Sequence, residues 1–539
     1  MIRQEIVELI EKLIENLQKE KVFPEFDIPE IQVEHPEEKN HGDYATNMAM
    51  AIVKQVEKNP MEIAKLVTES LSHLVTEPFF NKVEVAKPGF INFFLSKEYL
   101  QKQIEEILKQ KEKFGQLNLG KKIKTNIEFI SANPTGELHI GNGRGAFFGD
   151  TLANVLEKAG YKVIREYYIN DAKNSAQIKE LGKTALRRGT TYLTKNLEFK
   201  IKNLEPKLTK ISNEGEAGHI LAREVQKDNN NFIEDKLKIK FDNWVSEEDL
   251  YKENKINKIY NWFKEKNLIY QKEGAWWIKT SQFGDSQDWV IIRSEAEGGE
   301  PTYLLSDIAY HKNKFDRGFL KIINILGADH QGHVSKIKAA AKTLGFKGDL
   351  DILISQIVRL KSGLKLSKRK GEIITLEDLI NEVGLDVVRF LYLTKSLDTQ
   401  MEFDLELAKE QSEKNPVYYI QYAYARICSI FAKLKIKNLK LKITIQSLKL
   451  LTHQSELNLI KQLIRLPEVV EDTAKDYQIQ RIPQYAIDLA TVFHQFYRDC
   501  RVLSEDKELI QARLSLISAT KTVLKNTLNL MGITAPEKM

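Results

Sequence analysis

The stretch Ala132-Asn-Pro-Thr-Gly-Glu-Leu-His-Ile-Gly-Asn142, followed by Gly143-Arg-Gly-Ala146, falls where an alternating strand ends and a helix begins. Backbone N–H groups and the positive helix end point outward at such a place, which suits an anion. Glycines at 141, 143 and 145 let a phosphate approach the backbone, and His139 and Asn142 can add side-chain donors. Taken by itself, the same string also fits an ordinary glycine-rich turn with a surface histidine. A second string, Lys365-Leu-Ser-Lys-Arg369 with Lys370-Gly371 after it, sets two ammonium groups and a hydroxyl close together. These suit a developing pyrophosphate, stabilising charge without covalent chemistry; a solvated basic loop is the plainer reading. Third, Tyr303-Leu-Leu-Ser-Asp307 spaces a phenol and a carboxylate four residues apart. A carboxylate so placed can meet a planar cation, or it can be a surface or helix-capping residue.

These strings need elements to hold them. Ile123, Thr125, Ile127 and Phe129 alternate as a strand, Gly143–Lys158 reads as a helix with Phe148, Leu152, Val155 and Leu156 on one face, and Val163–Ile169 reads as the next strand. Strand, turn, helix, strand is a βαβ unit, so the fold class is α/β, with a Rossmann-like, doubly wound parallel sheet. The pattern is interrupted between about 180 and 285 by a Lys-, Asn- and Glu-rich, mostly helical stretch, and resumes with Tyr303–Ile308 and Ile322–Gly327. Before it, Ile6, Ile10, Leu13, Ile14 and Leu17 form one helical stripe, His41-Gly-Asp-Tyr-Ala-Thr-Asn47 opens another helical stretch, and Val83–Phe94 alternates like strands broken by a Pro-Gly turn. After residue 396, helix-like segments cover Glu410–Leu434, Glu456–Tyr477, Pro483–Val502 and Glu508–Leu530. The expected domains are thus an N-terminal α+β domain (1–112), the catalytic sheet domain (113–395) and a C-terminal all-α helical bundle (396–539).

The chain has 539 residues and a formal net charge of +6. Divided at those boundaries, the charge is −7, +10 and +3, so the basic excess sits with the two phosphate-type motifs. Cys428 and Cys500 make no disulfide framework and no C-x-x-C pair, so structural zinc and thiol catalysis are not expected. His330 and His333 lack a carboxylate or Cys cluster in the surrounding sequence, so no protein-held metal is expected. No apolar run approaches the length of a membrane span, and Glu is spread through the N-terminal stretch where a signal peptide would be apolar. A cytoplasmic protein that does not engage membrane is the expectation. The alternating basic run Lys433–Lys442 reads as a solvated linker or as a phosphate-contacting strand.

The first string resembles the HIGH signature of class I aminoacyl-tRNA synthetases, with Asn142 at the place of its second His. The second resembles their KMSKS loop. The surrounding words IEFISANPTGELHIGNGRGAFFGD, REYYINDA and EIITLEDLINEVGLDVVRFLYL are similar to arginyl-tRNA synthetases of bacterial type, as are HGDYATN and KPGFINFF near the N-terminus. Asn415-Pro-Val-Tyr-Tyr-Ile-Gln-Tyr-Ala-Tyr-Ala-Arg426 resembles that family's anticodon-binding domain, with Tyr424 where His is more usual.

The resemblance implies a ligase that activates L-arginine with ATP, releases pyrophosphate and passes arginine to the 3′-terminal adenosine of tRNA(Arg). It implies His139, Asn142, Lys365, Ser367 and Lys368 as the catalytic groups. ATP would lie against Pro134, Gly136, Gly141 and Gly143 on one side, and against Gly327, Asp329 and His330 on the other, with Asp329 suited to a ribose hydroxyl. Glu128, Tyr303 and Asp307 would select the guanidinium, while Ser131, Asn133, His139 and Gln331 complete the arginine site. Tyr419, Tyr422, Arg426 and Met539 would meet tRNA, and the N-terminal domain the tRNA core. Mg²⁺ would arrive with the ATP phosphates, and the chain is expected to act as a monomer. Two rival readings are an inactive paralogue that binds tRNA, motivated by Asn142, and a small-molecule nucleotidyltransferase, which would not need the aromatic helical bundle.

Overall fold

The computed structural model of the chain describes residues 1–74, 79–361, 374–436 and 445–539. Its centre is a five-stranded parallel sheet in the order Asp349–Ser355, Lys321–Gly327, Lys124–Glu128, Lys162–Ile169, Asn243–Ser246. The chain enters at Lys124–Glu128, winds outward in one direction, then returns to build the other half. The switch therefore lies between Lys124–Glu128 and Lys321–Gly327, and ligands of open α/β sheets bind at the carboxyl ends of the strands there. The helix Ile140–Lys158 packs along the sheet and buries Phe147, Leu152, Val155 and Leu156, all 0% exposed.

The interrupting stretch is more mixed than its composition suggests. It holds the helices Ala176–Ala185, Lys195–Leu208 and Glu214–Asn231, but its strand Asn243–Ser246 joins the edge of the central sheet. A three-stranded antiparallel sheet, Ile269–Lys272, Ala275–Ile278 and Trp289–Ile292, follows. The pairing of Asn243–Ser246 with Lys162–Ile169 is remote in sequence and leaves no local signal to read. Near the N-terminus, His41–Asn47 is not itself the start of a helix: Tyr44–Thr46 is a strand of a four-stranded sheet, and the helix begins at Met48. The hairpin Phe80–Ala86 with Phe90–Leu95 forms as expected.

The C-terminal part is helical, with Pro416–Ile436, Gln454–Leu463, Leu466–Asp476, Arg481–Asp499 and Lys507–Leu530. The single helix expected over Glu456–Tyr477 is two, because Pro467 stands at the start of the second, where its missing N–H costs nothing. One contiguous apolar cluster runs through the N-terminal, sheet and C-terminal parts, whereas the interrupting stretch contributes to two smaller clusters, one of them shared with Tyr168 and the helix Tyr303–Asp316. Buried polar bolts reinforce the joins. Arg389, 0% exposed, donates to Asp150 at 2.7 Å and to the Met531 carbonyl at 3.1 Å. Buried Glu468 of the C-terminal part faces His35 Nε2 at 2.7 Å and accepts from the Tyr44 hydroxyl at 2.9 Å. No described helix is long and apolar enough to cross a membrane.

Candidate active site

Two loops leave the sheet at the switch point, and both carry residues singled out from sequence. After Lys124–Glu128 the backbone turns sharply: Ile130 and Ser131 have φ of 66° and 41°. A β-branched residue in the left-handed region is strained, and such strain persists only where neighbours enforce it. Here Ser131 N–H donates to the Phe129 carbonyl at 3.0 Å, Ser131 Oγ accepts from Tyr168 N–H at 3.1 Å, and Asn170 Nδ2 donates to the Ser131 carbonyl at 3.3 Å. The second loop, Ala328–His333, is a 3-10 turn straight after Lys321–Gly327, and it leaves Asp329, His330 and Gln331 exposed beside the same crevice.

On one side of the crevice lies a pocket rich in carboxylates. Glu128, 4% exposed at the end of its strand, accepts from Lys314 Nζ at 2.6 Å and from Ser131 Oγ at 3.1 Å. Fully buried Lys314 also donates to Asn324 Oδ1 at 2.9 Å. Tyr303 and Asp307 stand one turn apart on the helix Tyr303–Asp316. Tyr303 is exposed, its ring 4.8 Å from that of His333, while Asp307 is only partly open to solvent. Burial, with the Glu247 and Glu128 carboxylates close by, pushes the Asp307 carboxyl up to about 8, against the pull of Lys314. Glu247 begins the helix Glu247–Lys252 and is pushed up to about 7 by burial and by Asp171 and Glu248, despite a hydrogen bond from Ser306. The Tyr168 ring stacks on Tyr310 with centroids 4.1 Å apart, and its buried hydroxyl has no partner among the described residues. That hydroxyl is held well above the usual phenol pKa by burial and by Glu247, Asp307 and Glu128. Three carboxylates thus face one ammonium. The pocket is short of positive charge and of N–H donors, and a guanidinium supplies both.

The other side is the N-terminus of the helix Ile140–Lys158. His139 is its N-cap, and Nδ1 accepts from Gly141 N–H at 3.0 Å, while Asn142 Oδ1 accepts from His139 N–H at 2.9 Å. An imidazole that accepts at Nδ1 is neutral with its proton on Nε2, and partial desolvation lowers its pKa in the same sense. His139 therefore offers an Nε2–H donor without charge. Asn142 does the reciprocal half of a capping box, a task its amide oxygen performs as well as an imidazole nitrogen would. Two glycines act differently from the expectation that they open the backbone to phosphate. A Cβ at Gly141 would lie 2.7 Å from the His139 ring, and one at Gly143 would lie 3.0 Å from Leu376 and 3.2 Å from Tyr392. Gly141 makes room for the histidine, and Gly143 is closed over by protein. Pro134 is buried, and the Gly136 carbonyl accepts from Asn229 Nδ2 at 3.1 Å.

Lys365, Ser367 and Lys368 lie outside the described residues. The chain just beyond them is tied to the first motif: Leu376 N–H donates to the Leu138 carbonyl at 2.8 Å, and Ile140 N–H to the Ile374 carbonyl at 3.3 Å. This backbone pairing brings the flank of the second motif to the helix end that holds His139.

The aromatic helix Pro416–Ile436 divides by depth. Tyr424 is 3% exposed and packs the bundle, while Tyr422 is exposed, stacked parallel to Tyr418 and near His494. The Tyr419 ring lies 4.7 Å from His494, and the Arg426 guanidinium sits between the rings of Tyr422 and Tyr497, 5.0 and 4.5 Å away. Met539 is also exposed. Glu247, Tyr168 and Lys314 in the pocket, and His494 and Tyr497 beside the tyrosines, carry no sequence signal of their own; only folding sets them beside the recognised motifs. Among the described residues no group of three His, Cys, Asp or Glu side chains could hold a metal ion.

Comparison with known proteins covers the whole chain. Residues 2–95 match the family described as arginyl tRNA synthetase N terminal domain, residues 103–179 and 192–405 the class I (R) tRNA synthetase catalytic domain, and residues 420–539 the DALR anticodon binding domain. An arginine–tRNA ligase of Caldanaerobacter subterraneus subsp. tengcongensis is 41% identical over 562 aligned positions, covering 100% of this chain and 99% of that protein. The arginine–tRNA ligase of Bacillus licheniformis is 41% identical, covering 98% of each. The fold matches that of Thermus thermophilus arginyl-tRNA synthetase with a TM-score of 0.78 at 22% identity, each chain covered fully. With a parallel-sheet catalytic part, an N-terminal part and a helical anticodon-binding part in that order, the chain belongs to the arginyl-tRNA synthetases, class I ligases that use ATP to join arginine to tRNA.

Proposed function

We propose that the carboxylate pocket holds the arginine side chain and the capped helix end holds the ATP phosphates, so that the two substrates meet between the loops after Glu128 and Gly327. The observation that carries this reading is the pocket's excess of carboxyl groups over cations: Asp307 and Glu247 lie near Glu128, whose one buried cation, Lys314, is already engaged. Asp307, Tyr303 and Glu128 select the guanidinium, and Ser131, Asn133 and Gln331 hold the α-amino and carboxylate groups. His139 donates through Nε2–H to a phosphate oxygen, with Asn142 keeping the histidine backbone in place. Asp329 takes a ribose hydroxyl, and Pro134, Gly136, Gly141, Gly327 and His330 border the nucleotide. Gly143 acts through packing. The arginine carboxylate then attacks the α-phosphate, and pyrophosphate leaves with its charge spread onto Lys365, Ser367 and Lys368. Mg²⁺ accompanies the phosphates, held mainly by them and by water. A ribose hydroxyl of the tRNA 3′-terminal adenosine then attacks the carbonyl of the arginyl-adenylate, taking the arginyl group as AMP leaves. Positioning and charge stabilisation suffice, without a protein nucleophile.

Tyr419, Tyr422, Arg426 and Met539 meet the anticodon loop, Tyr422 and Arg426 by stacking. The domain division at 112/113 and 395/396, action as a monomer and a cytoplasmic location complete the proposal. Charging of unfractionated tRNA with single labelled amino acids tests it. Arginine alone is expected to be incorporated, and charging with another amino acid would overturn the pocket assignment.

A further inference from the structure

Tyr167 and Tyr168 are neighbours near the end of the strand Lys162–Ile169, and both are buried. A strand turns successive side chains to opposite faces, so the two rings have different surroundings. The Tyr167 hydroxyl is fully used: it accepts from the Ala132 N–H at 3.1 Å and donates to the Ala132 carbonyl at 3.2 Å. The Tyr168 hydroxyl, closed off from solvent, has no hydrogen-bond partner among the described residues. Burying a hydroxyl without a partner costs stability, and here the residue is not loosely placed. Its N–H donates to Ser131 Oγ at 3.1 Å, and its ring lies on that of Tyr310 at an interplanar angle of 15°.

The elements around that hydroxyl bring acids to it from several directions. The strand on one side ends in Glu128; the strand on the other, Asn243–Ser246, pairs Val245 with Tyr168 and leads straight into Glu247. On the helix Tyr303–Asp316, Asp307 stands one turn before the Tyr310 on which the ring stacks. Lys314 follows one turn after Tyr310, its ammonium 4.4 Å from that ring and bonded to Glu128. Tyr251, on the helix that Glu247 begins, also acts on Tyr168. Burial, with Glu247, Asp307 and Glu128, holds the phenol well above its usual pKa, so it keeps a proton to donate. Of the three carboxyls, Glu128 already accepts from Lys314 and Ser131, and Glu247 from Ser306. Asp307 accepts no hydrogen bond among the described residues; burial and the charges of Glu247, Glu128 and Lys314 are what act on it. An idle donor and an idle acceptor thus share one side of the pocket.

We propose that Tyr168 is a positioning residue for arginine: its hydroxyl, idle in the empty pocket, donates to the Asp307 carboxylate when the guanidinium binds, and fixes the plane in which the two meet. An ionised carboxylate offers about four lone-pair sites, and a bidentate guanidinium takes two of them. One of the others is left for the phenol O–H. The cost of the unpaired hydroxyl is borne in the free protein and recovered only with substrate, which favours a ligand that brings its own positive charge. The assignment rests on the arginine reading of the pocket and adds to it a residue that acts through Asp307.

The test is Tyr168→Phe in the full chain, which keeps the ring on Tyr310 and removes only the hydroxyl. In tRNA charging at saturating ATP and tRNA, the KM for arginine should rise about tenfold or more, as for a hydrogen bond to a charged group. Turnover and the KM for ATP should not move. The melting temperature of the free protein should stay the same or rise, because an unpaired buried hydroxyl has been deleted. Plotted against pH, the KM for arginine should move upward without moving along the pH axis, since the hydroxyl is idle before substrate arrives. An unchanged KM for arginine would overturn the proposal. So would a fall in melting temperature with parallel rises in both KM values, the mark of a merely structural ring. A displacement along the pH axis would also overturn it, by placing the hydroxyl on Asp307 in the free protein. Asp307→Ala, measured alongside, separates this from the underlying reading: if it too leaves the KM for arginine unchanged, the pocket assignment itself fails.

Discussion

The carboxylate pocket and the capped helix end open at the same pair of strand ends, yet they are built in opposite ways. In the pocket, charged groups are buried and linked: Lys314 to Glu128 and Asn324, Glu166 to Arg317 and Tyr310, His311 to Asn324. His311 is held neutral, its pKa lowered by burial to about 3 and by Lys314 beside it. The capped helix end is instead half-open, with a neutral histidine and backbone N–H groups. The difference fits the proposed ligands. A guanidinium must be told apart from other cations by shape and pairing, which needs rigid, water-poor surroundings. A polyphosphate that arrives with its own cation and leaves in pieces is better met by groups that need not be desolvated beforehand.

If that contrast is right, damage to the pocket should be specific and large. Asp307→Ala leaves the guanidinium without a partly buried partner, a loss of about 2–5 kcal/mol. We expect the KM for arginine to rise about a hundredfold or more, with the KM for ATP nearly unchanged; parallel rises in both would erase the distinction between the two regions.

The pocket should also respond to pH where the capped helix end does not. The Asp307 carboxyl sits near 8 in the free protein, far above its unfolded value, so it holds a proton at neutral pH. Its contribution to folding is therefore greatest at low pH and is lost as pH rises towards 8. Arginine binding needs the ionised form, so the KM for arginine should fall about tenfold or more between pH 6.5 and 8.5. Thermal stabilisation by arginine should grow over the same range. A flat profile would mean that the pocket is ionised before substrate arrives.

Tyr422→Ala removes one stacking surface from the aromatic face and should raise the KM for tRNA about tenfold, leaving arginine and ATP untouched. Smallest is the effect at the helix cap. Asn142→His should leave turnover similar or slightly improve ATP use, because either side chain can accept from the His139 N–H. Asn142→Ala should cost about 1 kcal/mol of stability in a melting experiment. A large loss of activity in Asn142→His would show that the amide touches ATP in a way a cap does not require.

The parts of this enzyme that lie on one continuous stretch were legible before any coordinates. The turn from Glu128 to Asn142, the pair Tyr303 and Asp307, and the tyrosines of Pro416–Ile436 announce themselves by spacing and residue type. Strand, turn and helix are local structures, and their motifs travel with them. Glu247 was not legible, since an acid at a helix start reads as an ordinary cap. Nor were the strand Asn243–Ser246, or His494 beside Tyr419, because each gains its meaning from a neighbour far away in the chain.

By itself the sequence determined the architecture, the order of the parts and the chemistry to be done, because hydrophobic period and short motifs encode these directly. Only the tertiary structure decided how the charges are balanced. Burial and the approach of Glu128, Glu247 and Lys314 from three separate segments set the protonation of Asp307. Electrostatic energies depend on distance and on the exclusion of water, and neither can be counted along a chain.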